Sequence, residues 1–154
     1  MAARRLMSTL KTDLDTFFHA ARVLTPTHDA ATLLASLPRK ALLKAVAPLV
    51  RWRDGALTRH VVFGNSEFNL VLTSWAPGST MTTLPGQKAS FFRVLKGSLQ
   101  ETATPAGPAS AHSIGQGGCS FQGQDEARRL EANEGATLTL HMFSPPLVSK
   151  DLAF

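Results

Sequence analysis

The chain has one cysteine, Cys119, and no tyrosine. A lone thiol excludes an intramolecular disulfide framework and agrees with a reducing compartment, so a cytoplasmic location is expected. With no tyrosine, and with basic residues not interleaved with aromatics, the sequence lacks the stacking platform of a single-strand nucleic-acid binder. No apolar run approaches the roughly 18 residues of a membrane span. The opening segment Met1–Leu10 has two arginines but no apolar core, so no secretory signal is expected. The acid-poor stretch before Asp13 is too brief to favour an organelle-targeting peptide. Collagen-like and heptad periods are missing, which excludes fibrous classes, and no internal repeat is visible. The G-x-S-x-G nucleophile elbow and the G-x-x-x-x-G-K-[ST] phosphate loop are absent, as are the close Cys or His pairs of a zinc site.

The composition that remains is globular. The 154 residues are 44% hydrophobic and 18% charged with mean hydropathy near zero, too apolar for a disordered chain. The length suits one domain, expected over 1–154. Lysine and arginine outnumber the acids by 16 to 11, a net charge of +5. The cations are scattered, never five or six in a block, which reads as a solvated basic surface. Nucleic acid and membrane are therefore not expected as partners. A small anionic or thiol ligand, or another protein, stays open.

Two halves differ in pattern. From about residue 8 to 52 the apolar residues recur at helical steps: Leu10, Leu14, Phe17, Phe18, Ala21 and Leu24, then Leu33, Leu34 and Leu37, then Leu42, Leu43, Val46 and Leu49. Pro26 and Pro38 divide this stretch into two or three helices, which carry no chemical signal and are expected to pack on the main body. From about 56 to 147 the chain reads as strands. Thr58–Phe63, Phe68–Trp75, Ser90–Leu95, Leu99–Thr102 and Ala136–Phe143 are β-branched or aromatic runs separated by Gly, Pro and Ser turns. Gly115, Gly117 and Gly118 punctuate further short strands. Residues 148–154 are left as a tail. Many short strands without intervening helices predict a mainly β sandwich or barrel.

Four blocks carry a more specific signal. They are Leu57-Thr-Arg-His60, Phe68-Asn-Leu-Val-Leu-Thr-Ser-Trp-Ala-Pro-Gly78, Phe91-Phe-Arg-Val-Leu-Lys-Gly-Ser-Leu-Gln-Glu-Thr102, and Leu138-Thr-Leu-His-Met-Phe-Ser-Pro-Pro-Leu147. In this order and spacing they resemble the cysteine dioxygenase type I family, the thiol-dioxygenase branch of the cupin superfamily. The resemblance implies a cupin-type double-stranded β-helix barrel, a small jelly roll, with N-terminal helices. It also implies an iron(II) on three histidines at which a thiol is oxidised by O₂ to a sulfinic acid. Neutral imidazoles suit Fe(II), and open coordination positions let thiol and O₂ meet there.

Residue by residue the resemblance divides. Arg59 falls on the arginine that holds the substrate carboxylate, a task suited to a planar fork of donors. The tyrosine usual two residues earlier is Leu57. His141 falls on the histidine of a Ser-His-Tyr relay beside the metal; its partners here are Thr139 and Phe143, which lacks the phenol. Ser90 stands where some members have a cross-linked cysteine. The metal ligands are different. The His-x-His pair falls on Thr83 and Pro85, and the third ligand near Arg128, with Ala127 or Glu126 as alternative placements. A threonine hydroxyl is a poor ligand, proline offers none, and a fixed guanidinium repels a cation. No cofactor is therefore expected. The implied protein is a cysteine-dioxygenase-like cupin without iron or thiol oxidation, retaining a pocket for a small carboxylate or sulfinate at Arg59 and Arg128.

The alternative is an active thiol dioxygenase with a relocated metal site, for which His141 and His112 are the first residues to mutate. Several single residues have two readings. Arg59 is either an anion binder or a strand arginine paired with an acid at the barrel rim. His141 is read as a buried, hydrogen-bonded histidine, and Cys119 as a small buried hydrophobe. Asp125-Glu126 reads as surface. Trp75, Phe91 and Phe92 are expected in or around the core.

Overall fold

A computed structural model describes residues 34–64, 68–83, 89–104, 111–122 and 127–144. The expected helices before residue 34 and the tail at 148–154 lie outside these residues, as do Pro85, Asp125, Glu126, His19 and His28. The described residues include the end of a helix at 34–36, a helix of two turns, α1 (Arg39–Val46), a 3-10 turn (Ala47–Leu49) and nine strands. The strands are β1 (Leu57–Gly64), β2 (Asn69–Trp75), β3 (Thr80–Thr83), β4 (Ala89–Lys96), β5 (Leu99–Thr104), β6 (His112–Ile114), β7 (Cys119–Gln122), β8 (Ala127–Glu131) and β9 (Thr137–Ser144). They form a five-stranded sheet, order β1-β2-β9-β4-β7, and a four-stranded sheet, order β3-β8-β5-β6, antiparallel throughout. No helix among the described residues is long and apolar enough to cross a membrane.

Strand alternation sorts the side chains into two cores. On the outer face of the five-stranded sheet, Leu70, Leu72, Phe91, Leu95, Leu138, Leu140 and Met142 pack with Phe68 against Leu34, Leu42 and Val46 of the helical layer. Between the sheets lie Leu57, Trp75, Phe92, Val94, Leu99, Ile114, Leu130 and Ala132. β2 is buried along its whole length because it has a core on each side. Its polar residues Asn69, Thr73 and Ser74 are therefore buried along with its apolar ones.

Pro38 begins α1 rather than kinking it: it stands at the N-cap position, where its missing N–H costs no helical bond, and its carbonyl accepts from Leu42 N–H at 3.0 Å. Two arginines clamp the helical layer to β4 in opposite directions. Arg39 Nη1 donates to Leu95 O at 2.9 Å, and the buried Arg93 donates from Nη1 to the carbonyls of Leu34 and Leu37. The β4–β5 turn uses Gly97 at φ 84°, in the left-handed region.

Candidate functional site

The candidate site is built from the inward faces of β9, β4, β2 and β1. On β9, Leu138, Leu140 and Met142 belong to the outer core, so Thr139, His141 and Phe143 must turn inward. His141 is fully buried. Its ring stacks on Phe92, centroids 4.9 Å apart, and on Phe143, 5.5 Å apart with 10° between planes. Trp75 Nε1 lies 2.9 Å from Thr139 Oγ1, and Thr139 Oγ1 lies 3.1 Å from His141 Nδ1.

One direction in this chain of contacts is fixed. An indole N–H only donates, so Thr139 accepts from Trp75. Toward His141 Nδ1 the Thr139 hydroxyl donates or accepts according to the imidazole tautomer. His141 Nε2 is buried with no hydrogen-bond partner among the described residues. Burial, and secondarily the positive charge of Arg59, hold the His141 pKa down to about 3. The ring is thus neutral across the physiological range.

Arg59, on the edge strand β1, packs its guanidinium over the Phe143 ring, 5.9 Å from the centroid, and donates from Nη2 to the Met81 sulfur. It also lines a groove of about 320 Å³ where β1 faces β3, between Gly55, Leu57 and the segment Gly78–Met81. Arg59 therefore stands between an open groove and the aromatic interior around His141.

A second polar cluster lies between the sheets. Leu99 and Leu130 face the inner core, so period-2 alternation also turns Glu101 and Arg128 inward. Glu101 is 1% exposed. Its Oε1 pairs with Arg128 Nη1 and lies 3.2 Å from His112 Nε2, and its Oε2 accepts the Ser120 hydroxyl at 2.7 Å. The carboxylate ties β5 to its neighbours β6 and β8 and, through Ser120 on β7, to the opposite sheet. Sequence reasoning missed Glu101, because a single acid in a polar strand end reads as surface. Its signal was the two-residue spacing from Leu99.

The positions singled out for metal ligands can now be placed. Thr83 on β3 and Arg128 on β8 are cross-strand partners, so the two positions are neighbours in space. Arg128 brings a permanent charge already matched by Glu101. This does not fit an iron(II) centre, which needs neutral or anionic donors free to reach the metal. Among the described residues no three His, Cys, Asp or Glu side chains gather as a metal site. His112 is committed to Glu101 at an edge strand, and His60 is exposed on β1.

Cys119 corrects the expectation of a buried small hydrophobe. It is exposed, because β7 is an edge strand and Cys119 alternates to the face opposite Ser120. Local desolvation still pushes its thiol pKa up, opposed by Arg93, so it is not an activated thiolate. Trp75 and Phe92 join the inner core, as expected, and Phe91 the outer one.

Comparison with solved structures places this architecture. A cupin superfamily protein from Desulfitobacterium hafniense DCB-2 superposes with a TM-score of 0.55 at 12% identity, covering 64% of this chain and 86% of that one. A conserved protein with a double-stranded β-helix domain from Klebsiella pneumoniae gives 0.56 at 15% identity, over 65% and 86% of the two chains. An RmlC-like cupin from Desulfovibrio desulfuricans gives 0.54 at 15% identity, over 64% and 91%. The fold is a cupin barrel. No family model matches the sequence, and no curated protein matches it either. At these identities the likeness covers the cupin fold alone. The cupin scaffold puts Arg59, Thr139, His141 and Phe143 on adjoining inward faces, and holds the Glu101–Arg128 pair between its sheets.

Proposed function

We propose that this cupin is a cysteine-dioxygenase-like protein that has lost iron binding and thiol oxidation and binds a small anion, a carboxylate or sulfinate, at Arg59. The observation that carries the reading is the Arg128–Glu101 pair. By the resemblance Arg128 falls at or near the position of the family's third imidazole ligand, with Ala127 or Glu126 as alternative placements, and it pairs with Thr83 across β3 and β8. A guanidinium with its own internal counter-ion fills that place with charge of the wrong sign for a cation and needs no metal to balance it.

Of the two arginines first considered for the anion, Arg59 is the better suited. It lines an open groove, and its contacts include a thioether and an aromatic face. Arg128 is already neutralised by Glu101. A planar guanidinium beside a groove of this size suits a carboxylate of a few carbons.

The test is twofold. The protein is expressed with iron, its metal content measured, and oxygen uptake recorded on adding cysteine. No stoichiometric iron and no uptake are expected. In parallel, calorimetric titration with L-cysteinesulfinate should show binding that Arg59→Met removes. Tight stoichiometric iron together with cysteine-dependent oxygen uptake would overturn the reading and favour a relocated metal site instead.

A further inference from the structure

Two methionines fall among the described residues, and their settings differ. Met142 is 2% exposed and packs in the outer core. Met81 stands on β3 between the exposed Thr80 and Thr82, so alternation turns its side chain inward. There it is half-buried, packs against the inner core and lines the groove that Arg59 also lines. Its sulfur accepts a hydrogen bond from Arg59 Nη2. The groove has room beside these two groups. Gly55 and Gly78 share its wall, and a Cβ added at either would meet nothing within 4 Å.

A thioether is a weak acceptor, so the guanidinium gains little from the sulfur as it stands. One added oxygen changes that. A sulfur lone pair attacks one oxygen of a hydroperoxide such as hydrogen peroxide. The S–O bond forms as the O–O bond breaks, and the sulfur-bound hydroxyl passes its proton to the departing hydroxide, which leaves as water. The sulfur loses two electrons and the peroxide gains them. The product is a sulfoxide, polar where the thioether was apolar. Its oxygen carries a large partial negative charge and is a far stronger partner for a guanidinium that already touches the sulfur.

We infer that Met81 is an oxidation site that takes a hydroperoxide as its reagent, and that its sulfoxide oxygen engages Arg59 and closes the groove to a carboxylate. The oxygen occupies the donor that the anion would use, sets a partial charge of like sign beside it, and takes up part of a groove of only about 320 Å³. The closing step rests on the proposed anion site and adds its regulation. The oxidation and the new contact with Arg59 do not depend on it.

The experiment treats the full chain carrying Cys119→Ser, which removes the exposed thiol, with hydrogen peroxide. Peptide mass mapping should show Met81 gaining one oxygen at least about tenfold faster than Met142, as exposure governs the reaction. Nitrogen-15 NMR should show the Arg59 Nε resonance shifting as Met81 is oxidised. The affinity for L-cysteinesulfinate should fall at least about tenfold, the equivalent of one hydrogen bond, and should recover when methionine sulfoxide reductases return the thioether. In Met81→Leu the affinity after peroxide should equal that variant's own affinity before it; if the variant fails to fold, the reductase reversal decides the same point. Oxidation of Met81 no faster than that of Met142, an unmoved Arg59 resonance, or undiminished sulfinate affinity in the oxidised chain overturns the inference and leaves the anion site standing. A reduced chain that binds no sulfinate removes the anion site and the closing step with it, and the oxidation site then stands or falls on the mass and NMR readouts.

Discussion

His141 and Glu101 show two ways of keeping an ionisable group inside a barrel. His141 is buried as the neutral ring, its pKa held down to about 3 by desolvation. At neutral pH neither the folded nor the unfolded chain is protonated there, so the group has no linkage effect. Below about pH 6.5 the unfolded chain takes a proton that the folded chain refuses. Stability therefore falls with pH toward 3, by up to about 1.4 kcal/mol per pH unit from this residue. Urea unfolding between pH 4 and 7 should show a shallower slope in His141→Phe than in wild type; parallel slopes would mean that the imidazole titrates normally in the fold. Glu101 is instead buried with three partners. Glu101→Gln leaves the Arg128 guanidinium, itself only 21% exposed, without its counter-charge and should cost about 3 kcal/mol. A second change, Arg128→Met, should return part of that loss, since removing both partners leaves no orphan. By contrast Glu131→Gln, whose partner Arg129 is half exposed, should move stability by no more than about 0.5 kcal/mol. Equal losses in denaturant titrations of the two glutamine variants would show that burial of the Glu101 pair carries no energetic weight.

At the scale of elements, the turns hold the strands in register, and one of them is sterically closed. Gly97 has φ 84°, and an added Cβ would sit 2.5 Å from Thr137 Oγ1 and 2.7 Å from Ala136 O. Thr137 Oγ1 cannot yield freely, because it donates to Ser98 O at 3.0 Å. Gly97→Ala should cost about 2 kcal/mol or more by thermal unfolding, against about 1 kcal/mol for Gly55→Ala, where φ is 67° but nothing lies within 4 Å. Equal costs would mean that only the dihedral matters. The elements also explain what was readable beforehand. β2, β4 and β9 are long and rich in β-branched and aromatic residues because a core lies on each face, so composition marked them clearly. β3 (TMTT) and β8 (ARRLE) are short and polar on their outward face, and their pairing partners are distant in sequence, so nothing local announced them. Thr139 and His141 were singled out by the family resemblance, and alternation along β9 is the physical reason that they share a face. Glu101 and the two clamping arginines were not, because a charged residue acquires its partner only when the sheets and the helical layer meet.

At the scale of the whole molecule, the chain's own side chains tie the two sheets together. The inner core packs Leu57, Trp75, Phe92 and Val94 of one sheet against Leu99, Ile114, Leu130 and Ala132 around the other. The Ser120–Glu101–Arg128 contacts add a polar tie between sheets where the two lie face to face. On the proposed reading the barrel has its full stability as synthesised, whereas a barrel relying on a metal would gain stability when loaded. A ligand that binds only the folded chain adds about 2.7 kcal/mol at roughly 100 times its Kd. For a domain of this length that raises Tm by about 5–10 °C. Thermal unfolding should accordingly be unchanged by ferrous iron or by EDTA, and should rise with saturating L-cysteinesulfinate in wild type but not in Arg59→Met. A rise with ferrous iron that EDTA reverses would show that the barrel does grip a metal, and the internal ion pair would then have to open to admit it. In that event the Glu101→Gln variant, with the Arg128 charge unbalanced, should bind iron more weakly still, which separates a metal at this pair from one held elsewhere on the chain.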